Sequence, residues 1–161
     1  MSASRPLCLA VLATIAAFPS ARAQQPGDTA RYVVLFSGRS AGFYTEWQSS
    51  GELHSAFEYN DRGRGPHQEA VMRVGADGIP TALTVVGHGY LKDTVDEKFT
   101  NARGTATWAN ATEHGTKAVA GKAFYVSASE SPIGSQLLVR TALANGGRIA
   151  LLPSGEASVV R

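Results

Sequence analysis

Cysteine is almost absent from this sequence, which has one cysteine among 161 residues. That residue, Cys8, lies near the start of an apolar run, residues 7–18, which we expect to be removed with a signal peptide. The mature chain would then contain no cysteine. It could form no disulfide bond and use no thiolate nucleophile. A disulfide-rich scaffold and a cysteine-dependent enzyme are therefore both excluded.

Long hydrophobic runs are also missing beyond residue 23, so no membrane span is predicted there. Before that point, Arg5 precedes the apolar run, and Ala21 and Ala23 form an Ala-x-Ala cleavage site. This order is typical of a secretory signal peptide, and the run is shorter than the roughly 20 apolar residues that a spanning helix needs. The sequence predicts a signal peptide over residues 1–23, a flexible lead over 24–30, and a periplasmic or secreted protein.

An excess of charge of either sign is the next absence. The chain has 15 basic and 13 acidic residues, and the predicted signal peptide contains Arg5, Arg22 and no acidic residue. Its removal leaves 13 basic residues against 13 acidic ones, so the mature chain is neutral. A neutral domain lacks the positive surface that phosphate backbones require. We therefore predict no nucleic-acid partner, and one β-rich domain over residues 31–161.

Catalytic motifs are missing as well. The four histidines are His54, His67, His88 and His114, and none of their spacings is the His-x-His or His-x-x-x-His that places two ligands on one metal. No Gly-x-Ser-x-Gly elbow offers a nucleophile. We therefore predict no catalytic residue, no metal ligand and no cofactor in this chain. The alternative is a metal site that combines His67 or His88 with Asp61.

Short strands separated by turn residues are what the sequence does contain. Each strand alternates apolar and polar residues or is rich in β-branched and aromatic residues, and Asp77-Gly78 is a strong hairpin signal. The predicted strands cover residues 31–37, 43–48, 53–59, 68–74, 81–87, 95–100 and 105–109. Regular spacing of this kind is typical of an antiparallel sandwich or barrel.

The pattern changes after residue 109. Residues 113–122 are polar and contain glycine, which predicts a loop, and residues 124–127 predict a short strand. Ser131-Pro132 predicts a helix start and Gly146 a helix end, with apolar residues on one stripe between them. Residues 148–153 and 156–160 predict two final strands. The predicted fold is mainly β: an antiparallel meander that forms a curved sheet, half-barrel or sandwich, with one amphipathic helix packed on it.

The most specific connection in the chain is residues 60–66, where asparagine, aspartate, two glycines and proline favour a turn. Its Asp61, Arg62 and Arg64 admit two interpretations. One is an anion-binding turn, because the arginine fork binds carboxylates and phosphates. The other is a structural turn in which Asp61 accepts local hydrogen bonds. We favour the structural interpretation because arginines in turns are mostly solvated or paired locally.

Five large aromatic residues also admit two interpretations. They are Trp47, Phe57, Tyr59, Phe99 and Trp108. Such side chains line ligand cavities in some proteins, but they also fill the cores of small β domains. We expect these five to belong to the core.

Several runs of this sequence resemble the N-terminal region of exported bacterial metal-dependent amidohydrolases of the imidazolonepropionase-like group. The most specific run is Asn60-Asp61-Arg62-Gly63-Arg64-Gly65-Pro66, with the three residues before it. The other runs are residues 31–42, 76–80, 95–99, 123–127 and 151–155. In that group, the resemblance implies, a β-rich region precedes a metal-dependent catalytic barrel that hydrolyses carbon–nitrogen bonds.

The sequence departs from that group where the chemistry lies. The His-x-His of an early barrel strand and the later ligands are missing, and a (β/α)₈ barrel takes about 250 residues. The resemblance therefore implies a noncatalytic N-terminal domain, truncated before a catalytic barrel in cis, with zinc held only in a full-length relative. We expect the chain alone to hydrolyse no amide, imide or cyclic urea and to retain no stoichiometric zinc.

A second hypothesis belongs to a different class of protein. A curved antiparallel sheet with one helix laid against it also resembles the half-barrel of periplasmic lipoprotein carriers. In such a shape the apolar helix stripe would close a cavity for a hydrophobic ligand. The hypothesis requires unfilled volume between sheet and helix, which binding of a fluorescent lipid analogue would detect.

Overall fold

The computed structural model describes residues 29–160, which form eleven strands and one helix. The predicted signal peptide and most of the predicted lead lie outside the described residues. The first eight strands are β1 (Ala30–Phe36), β2 (Arg39–Ser49), β3 (Glu52–Tyr59), β4 (His67–Val74), β5 (Pro80–His88), β6 (Thr94–Ala102), β7 (Thr105–Ala109) and β8 (His114–Ala118). They are followed by β9 (Ala123–Tyr125), α1 (Ser135–Ala144), β10 (Arg148–Leu152) and β11 (Glu156–Ser158).

Strands β1 to β8 form one antiparallel meander, in which each strand pairs with the next along the chain. Strands β1 and β8 are its two edges, so the sheet is open. The seven strands predicted from residues 31 to 109 are confirmed as β1 to β7, with boundaries extended by a few residues. The mainly β fold with an antiparallel meander is therefore also confirmed.

The loop predicted over residues 113–122 is wrong, because residues 114–118 form the edge strand β8. Trp108 of β7 lies opposite Gly115, and Thr107 lies opposite Thr116. Four of the five residues of β8 are exposed, which explains why its sequence does not alternate apolar and polar residues. Backbone hydrogen bonds to β7 hold β8 in place. Such bonds can form without a periodic pattern of hydrophobic residues, so the sequence does not reveal them.

One face of the meander, the inner face, carries the main core. Strand β4 illustrates the alternation: Gln68, Ala70 and Met72 are buried, whereas His67 and Glu69 are exposed. The buried residues of β4 to β7 join residues from the end of the chain in one cluster: Ala70, Met72, Leu83, Val85, Phe99, Ala106, Ala123, Tyr125, Ile133 and Leu152. The inner face is thus covered by the C-terminal segment, which makes the domain two layers thick.

The predicted large aromatics divide between the core and other positions. Phe99 is buried and stacks on Tyr125 of β9 with the ring centroids 4.0 Å apart, and Trp108 packs against the same cluster. Trp47 instead stacks on His54 on the opposite, outer face of the sheet. The remaining two, Phe57 and Tyr59, are half-buried and contact each other edge to face. The core interpretation therefore holds for two of the five.

The second layer is a three-stranded sheet with the order β11-β10-β9. Strand β10 pairs antiparallel with β11 but parallel with β9. Parallel neighbours need a long crossover, and α1 lies in the connection between β9 and β10. A second cluster of Ile79, Phe124, Ala142 and Ile149 joins this layer to the β4–β5 hairpin. The sequence predicted the individual strands but not this arrangement.

The helix begins later than predicted. Its first residue is Ser135, and the N-cap is Gly134 in the left-handed conformation. Ser131, the predicted cap, is instead buried and lies with its Oγ 3.3 Å from Oγ of Ser55 on β3. The Gly134 N–H lies 3.3 Å from a carboxylate oxygen of Glu46 on β2, which accepts its hydrogen bond. Contacts with the sheet thus replace the local cap.

The predicted helix end is confirmed. Gly146 has a φ of 78°, and the Gly147 N–H donates to the Ala142 carbonyl at 2.8 Å, as in a Schellman motif. The predicted stripe consists of Ile133, Leu137, Leu138, Thr141 and Ala142. Ile133, Thr141 and Ala142 are buried, and Leu137 and Leu138 pack against the second cluster. No helix within residues 29–160 has the length and apolar character that crossing a membrane would require.

Candidate functional site

Two connections bring charged and aromatic residues together at one end of the meander, which we call the polar end. One connection joins β3 to β4 and the other joins β5 to β6. The polar end consists of Glu58, Asp61, Arg64, His67, His88, Tyr90 and Lys92. All seven lie in these two turns or in the strand residues that border them.

The turn at residues 60–66 is a tight hairpin within a longer connection. Asp61 and Arg64 exchange two backbone hydrogen bonds, of 2.7 and 3.0 Å. Arg62 and Gly63 lie between them with φ of 55° and 86°, and positive φ at both central residues is what a type I′ turn requires. The Asn60 side chain accepts from the Gly63 N–H at 3.0 Å. The residues predicted to be turn-forming thus perform that role.

The β5–β6 connection holds this turn in place. The Tyr90 hydroxyl donates to the Asp61 carboxylate at 2.6 Å, and Lys92 Nζ donates to the Gly65 carbonyl at 2.9 Å. The Gly65 N–H donates in return to the Tyr90 carbonyl at 3.0 Å. Two turns that are separate in sequence are therefore joined by three hydrogen bonds. Sequence reasoning missed Tyr90 and Lys92 because it treated their turn only as a break between strands.

The two arginines of the turn occupy different environments. Arg64 lies over the Tyr90 ring, with Cζ 5.2 Å from the ring centroid, which is a cation–π contact. Arg62 is exposed at the tip of the turn. The hydrogen bond to Asp61 raises the pKa of Tyr90, so the phenol stays neutral and keeps donating. Anion binding by Asp61, Arg62 and Arg64 remains a prediction. Asp61 and Arg64 contact each other and Tyr90.

The histidines that are dispersed in sequence become neighbours in the sheet. His67 on β4 lies opposite His88 on β5, and their ring centroids are 5.9 Å apart. Glu58 on β3 lies opposite His67 and has a carboxylate oxygen 2.7 Å from its Nδ1. His54 instead stacks on Trp47. Among residues 29–160, no three His, Cys, Asp or Glu side chains are grouped in a way that could hold a metal ion.

The register that pairs His67 with His88 follows only in part from the sequence. The Asp77-Gly78 hairpin was predicted, but its pairing begins with Val74 opposite Pro80, and a register shift between Arg73 and Val74 then brings residue 67 opposite residue 88. A second hairpin, centred between Arg62 and Gly63, places Glu58 opposite His67. Hairpin centres fix cross-strand register, whereas motif spacing along the chain ignores it.

A second group of polar contacts surrounds Glu97, whose side chain projects from β6 onto the inner face. Glu97 is 1% exposed, and its two carboxylate oxygens accept four hydrogen bonds. The hydroxyls of Tyr125 and Ser127 donate at 2.8 Å each, and the N–H groups of Ala128 and Ser129 donate at 3.0 Å each. These bonds attach the segment after β9 to the meander. Sequence reasoning placed Glu97 in a strand and gave it no role.

Two buried tyrosines predict loss of stability in alkali. Burial, then a hydrogen bond to a neighbouring glutamate, raises the pKa of Tyr44 and of Tyr125 well above the usual 10.0. Above about pH 10 these phenols ionise in the unfolded chain but stay protonated in the folded one. The unfolded state then binds fewer protons, so stability that is complete below this pH falls by about 1 kcal/mol per pH unit for each tyrosine.

Urea unfolding from about pH 9 to about pH 11 measures this loss, because it follows the free energy of unfolding directly. Tyr125→Phe is the matched variant. It should remove about half of the slope that Tyr44 and Tyr125 together contribute above about pH 10, whatever its effect at neutral pH. An unchanged slope in Tyr125→Phe would contradict the assignment.

Comparison of the chain with protein-family models, with curated proteins and with solved structures found no match. The comparisons therefore assign neither a family nor a relative of known activity. What bears on function is the set of resembling runs and the geometry of the described residues.

Proposed function

We propose that this chain is the noncatalytic N-terminal β domain of an exported amidohydrolase that acts on carbon–nitrogen bonds. The resembling runs support the proposal, and the 60–66 turn is the most specific of them. That run forms a turn in which side chains and backbone groups are mostly engaged with each other. Such a turn shapes a domain rather than reacting with a substrate. In this role the domain would contribute to the enzyme by binding its catalytic barrel.

Strand β1 offers an exposed apolar surface that another domain could bind. It is an edge of the meander, and its Val33, Leu35 and Phe36 are 64%, 62% and 46% exposed. Phe43 on β2 lies opposite Val33 and is also exposed. Natural edge strands are usually protected by charge, proline or a covering element, and exposed apolar patches mark interaction surfaces. We therefore assign β1 and Phe43 to the contact with the catalytic barrel.

The carrier hypothesis has less support from the packing. A carrier needs open volume between sheet and helix, and ligand pockets usually enclose about 300–1,000 Å³. In this domain Met72, Phe99, Tyr125 and Ile133 occupy the space between the middle of the meander and the second layer. We therefore place the binding surface at the edge of the sheet rather than inside it.

The first test of the proposed function is the coding DNA beyond the Arg161 codon. An open frame that encodes a His-x-His soon afterwards is the expected result. An intergenic region with a terminator would contradict the proposal. With such a frame in hand, the barrel can be produced separately and its binding to the present chain measured by titration calorimetry.

Leu35→Lys is expected to weaken that binding at least about tenfold, which is about 1.4 kcal/mol, because it places a charge in an apolar contact. Val86→Lys is the matched control, since Val86 is also exposed but lies on the central strand β5. Equal weakening by both variants would contradict the assignment to β1. Alone, the chain is expected to hydrolyse no amide, imide or cyclic urea.

A further inference from the structure

We propose that His67 and His88 form a binding site for a divalent transition-metal ion such as zinc on the outer face of the sheet. The two residues lie opposite each other on β4 and β5, with ring centroids 5.9 Å apart. Imidazole nitrogens bind zinc at about 2.0–2.1 Å. Two rings at this separation on neighbouring strands can both reach one ion through their Nε2 atoms without moving the strands.

The hydrogen bond from His67 prepares its other nitrogen for a metal. Nδ1 lies 2.7 Å from a carboxylate oxygen of Glu58 on β3. A carboxylate can only accept, so Nδ1 carries a proton, and in the neutral imidazole Nε2 then has the lone pair. Because Nδ1 points toward β3, the ring edge that carries Nε2 is turned away from β3 and toward the β5 side. A histidine held by a carboxylate in this way is the usual arrangement in metal sites.

His88 is prepared in the same way by the backbone. Its Nδ1 lies 3.3 Å from the Gly89 carbonyl oxygen, which also can only accept. Nδ1 is therefore protonated, and in the neutral imidazole Nε2 again has the lone pair. Carboxylates and backbone carbonyls are the two protein groups that most often orient metal-binding histidines. Two facing histidines with these two partners make a stronger case than the ring contact alone.

The site is open to solvent, which determines how it would bind. The His67 side chain is 56% exposed, so an ion can enter without a conformational change. Two histidines leave at least two coordination positions for water, whereas structural zinc sites use four protein ligands. The bound ion should therefore exchange readily and be lost on dialysis. This is compatible with the expectation that the dialysed chain retains no stoichiometric zinc.

The geometry differs from the alternative that sequence reasoning kept open. That alternative combined one of these histidines with Asp61. Asp61 instead accepts a hydrogen bond from Tyr90 at 2.6 Å, and the carboxylate beside His67 is that of Glu58. The site thus consists of two ligands and one positioning residue from three successive strands.

Zinc titration of the metal-free purified chain tests the proposal, and its result does not depend on a catalytic barrel. Calorimetry is expected to show one ion per chain. Imidazole nitrogen NMR is expected to show shifts at His67 and His88 but not at His54 or His114. His67→Ala and His88→Ala should each lower the association constant at least about tenfold, while His54→Ala, the matched control, leaves it unchanged.

Glu58→Gln tests the positioning role of Glu58. Loss of an outer-shell partner typically lowers metal affinity about 10–100-fold. At saturating zinc this variant should still show the shifts at His67 and His88. The proposal is overturned if zinc leaves both resonances unchanged, or if the His67→Ala, His88→Ala double variant binds zinc as the unmodified chain does. A hydrogen-bonded surface pair without metal affinity would give those results.

Discussion

Glu97→Ala is expected to lower the free energy of unfolding by about 3–5 kcal/mol, because four donors lose the buried acceptor that they share. The variant removes the acceptor of four hydrogen bonds. Its donors, two hydroxyls and two backbone N–H groups, remain in place. A buried donor left without a partner costs about 1–3 kcal/mol, and relaxation of the segment after β9 would recover part of the sum.

Glu97→Gln is the more informative variant because it keeps the shape of the side chain. An amide NH₂ would then replace one oxygen and face two donors, where the carboxylate offered an acceptor. We expect a loss of about 2–3 kcal/mol in urea unfolding followed by tryptophan fluorescence. Asp96→Asn, on the same strand but exposed, is the matched control and should change stability by no more than about 0.5 kcal/mol.

The two variants also test how the layers of the domain are joined. Tyr125 stacks on Phe99 while its hydroxyl binds Glu97, so one residue combines an apolar and a polar contact between β9 and β6. If Glu97→Gln cost no more than Asp96→Asn, the hydrogen bonds to Glu97 would contribute little to holding the second layer. The assignment of Glu97 as a polar link between the layers would then be wrong.

Gly65→Ala is the second substitution with a large expected effect, about 4 kcal/mol. Gly65 has a φ of 130°, which side-chain-bearing residues rarely adopt, and an added Cβ would lie 2.0 Å from the Tyr59 carbonyl oxygen. Backbone strain and overpacking each cost about 1–3 kcal/mol. Because the clashing atom belongs to the backbone, at the end of β3, relief requires opening the turn. The hydrogen bonds to Tyr90 and Lys92 would be lost with it.

Gly63→Ala provides the control from the same turn. Gly63 also has a positive φ, of 86°, but no atom lies within 4 Å of an added Cβ there. Only the left-handed backbone penalty of about 1–2 kcal/mol should remain. Urea unfolding of both variants should therefore separate steric clash from backbone preference. Equal losses in the two variants would show that the close approach at Gly65 has no energetic weight.

Local signals explain most of what sequence reasoning predicted correctly. Positive φ at Gly63 and Gly146 follows from what glycine permits, and the hairpin at Asp77-Gly78 follows from turn chemistry. Strand β4 was recognisable because Ala70 and Met72 alternate with polar residues. In each case the information lies within a few neighbouring residues, where steric and hydrogen-bonding preferences act directly.

The wrong predictions share the opposite cause. Ser131-Pro132 is a good local helix start, but Ser131 contacts Ser55 of β3 and the helix begins only at Ser135. Strand β8 has no apolar pattern, and its backbone pairs with β7. At residue 131, a contact with β3 outweighed the local preference for a helix start. At residues 114–118, pairing with β7 formed a strand although the local sequence does not favour one.

The candidate sites lie between these two cases. Glu58, His67 and His88 are brought together by register. The turn residues of both hairpins were visible in the sequence, but the register shift between Arg73 and Val74 was not. Their ring distance and hydrogen-bond partners were not, because side-chain orientation depends on packing around the strands. Tyr90 and Lys92 reach the 60–66 turn only because two connections end at the same side of the sheet.

By itself, the sequence determined an antiparallel meander with its turns and one amphipathic helix with a glycine end. Those features follow from composition, periodicity and turn chemistry, which act over short stretches of chain. Only the tertiary structure decided the parallel pairing of β9 with β10, the four hydrogen bonds to Glu97, and the joining of the 60–66 turn to Tyr90. Each of these connects residues about 30 positions apart, such as Glu97 and Tyr125. These residues come together only when the chain folds, and no pattern within a short stretch of sequence indicates which distant residues will meet.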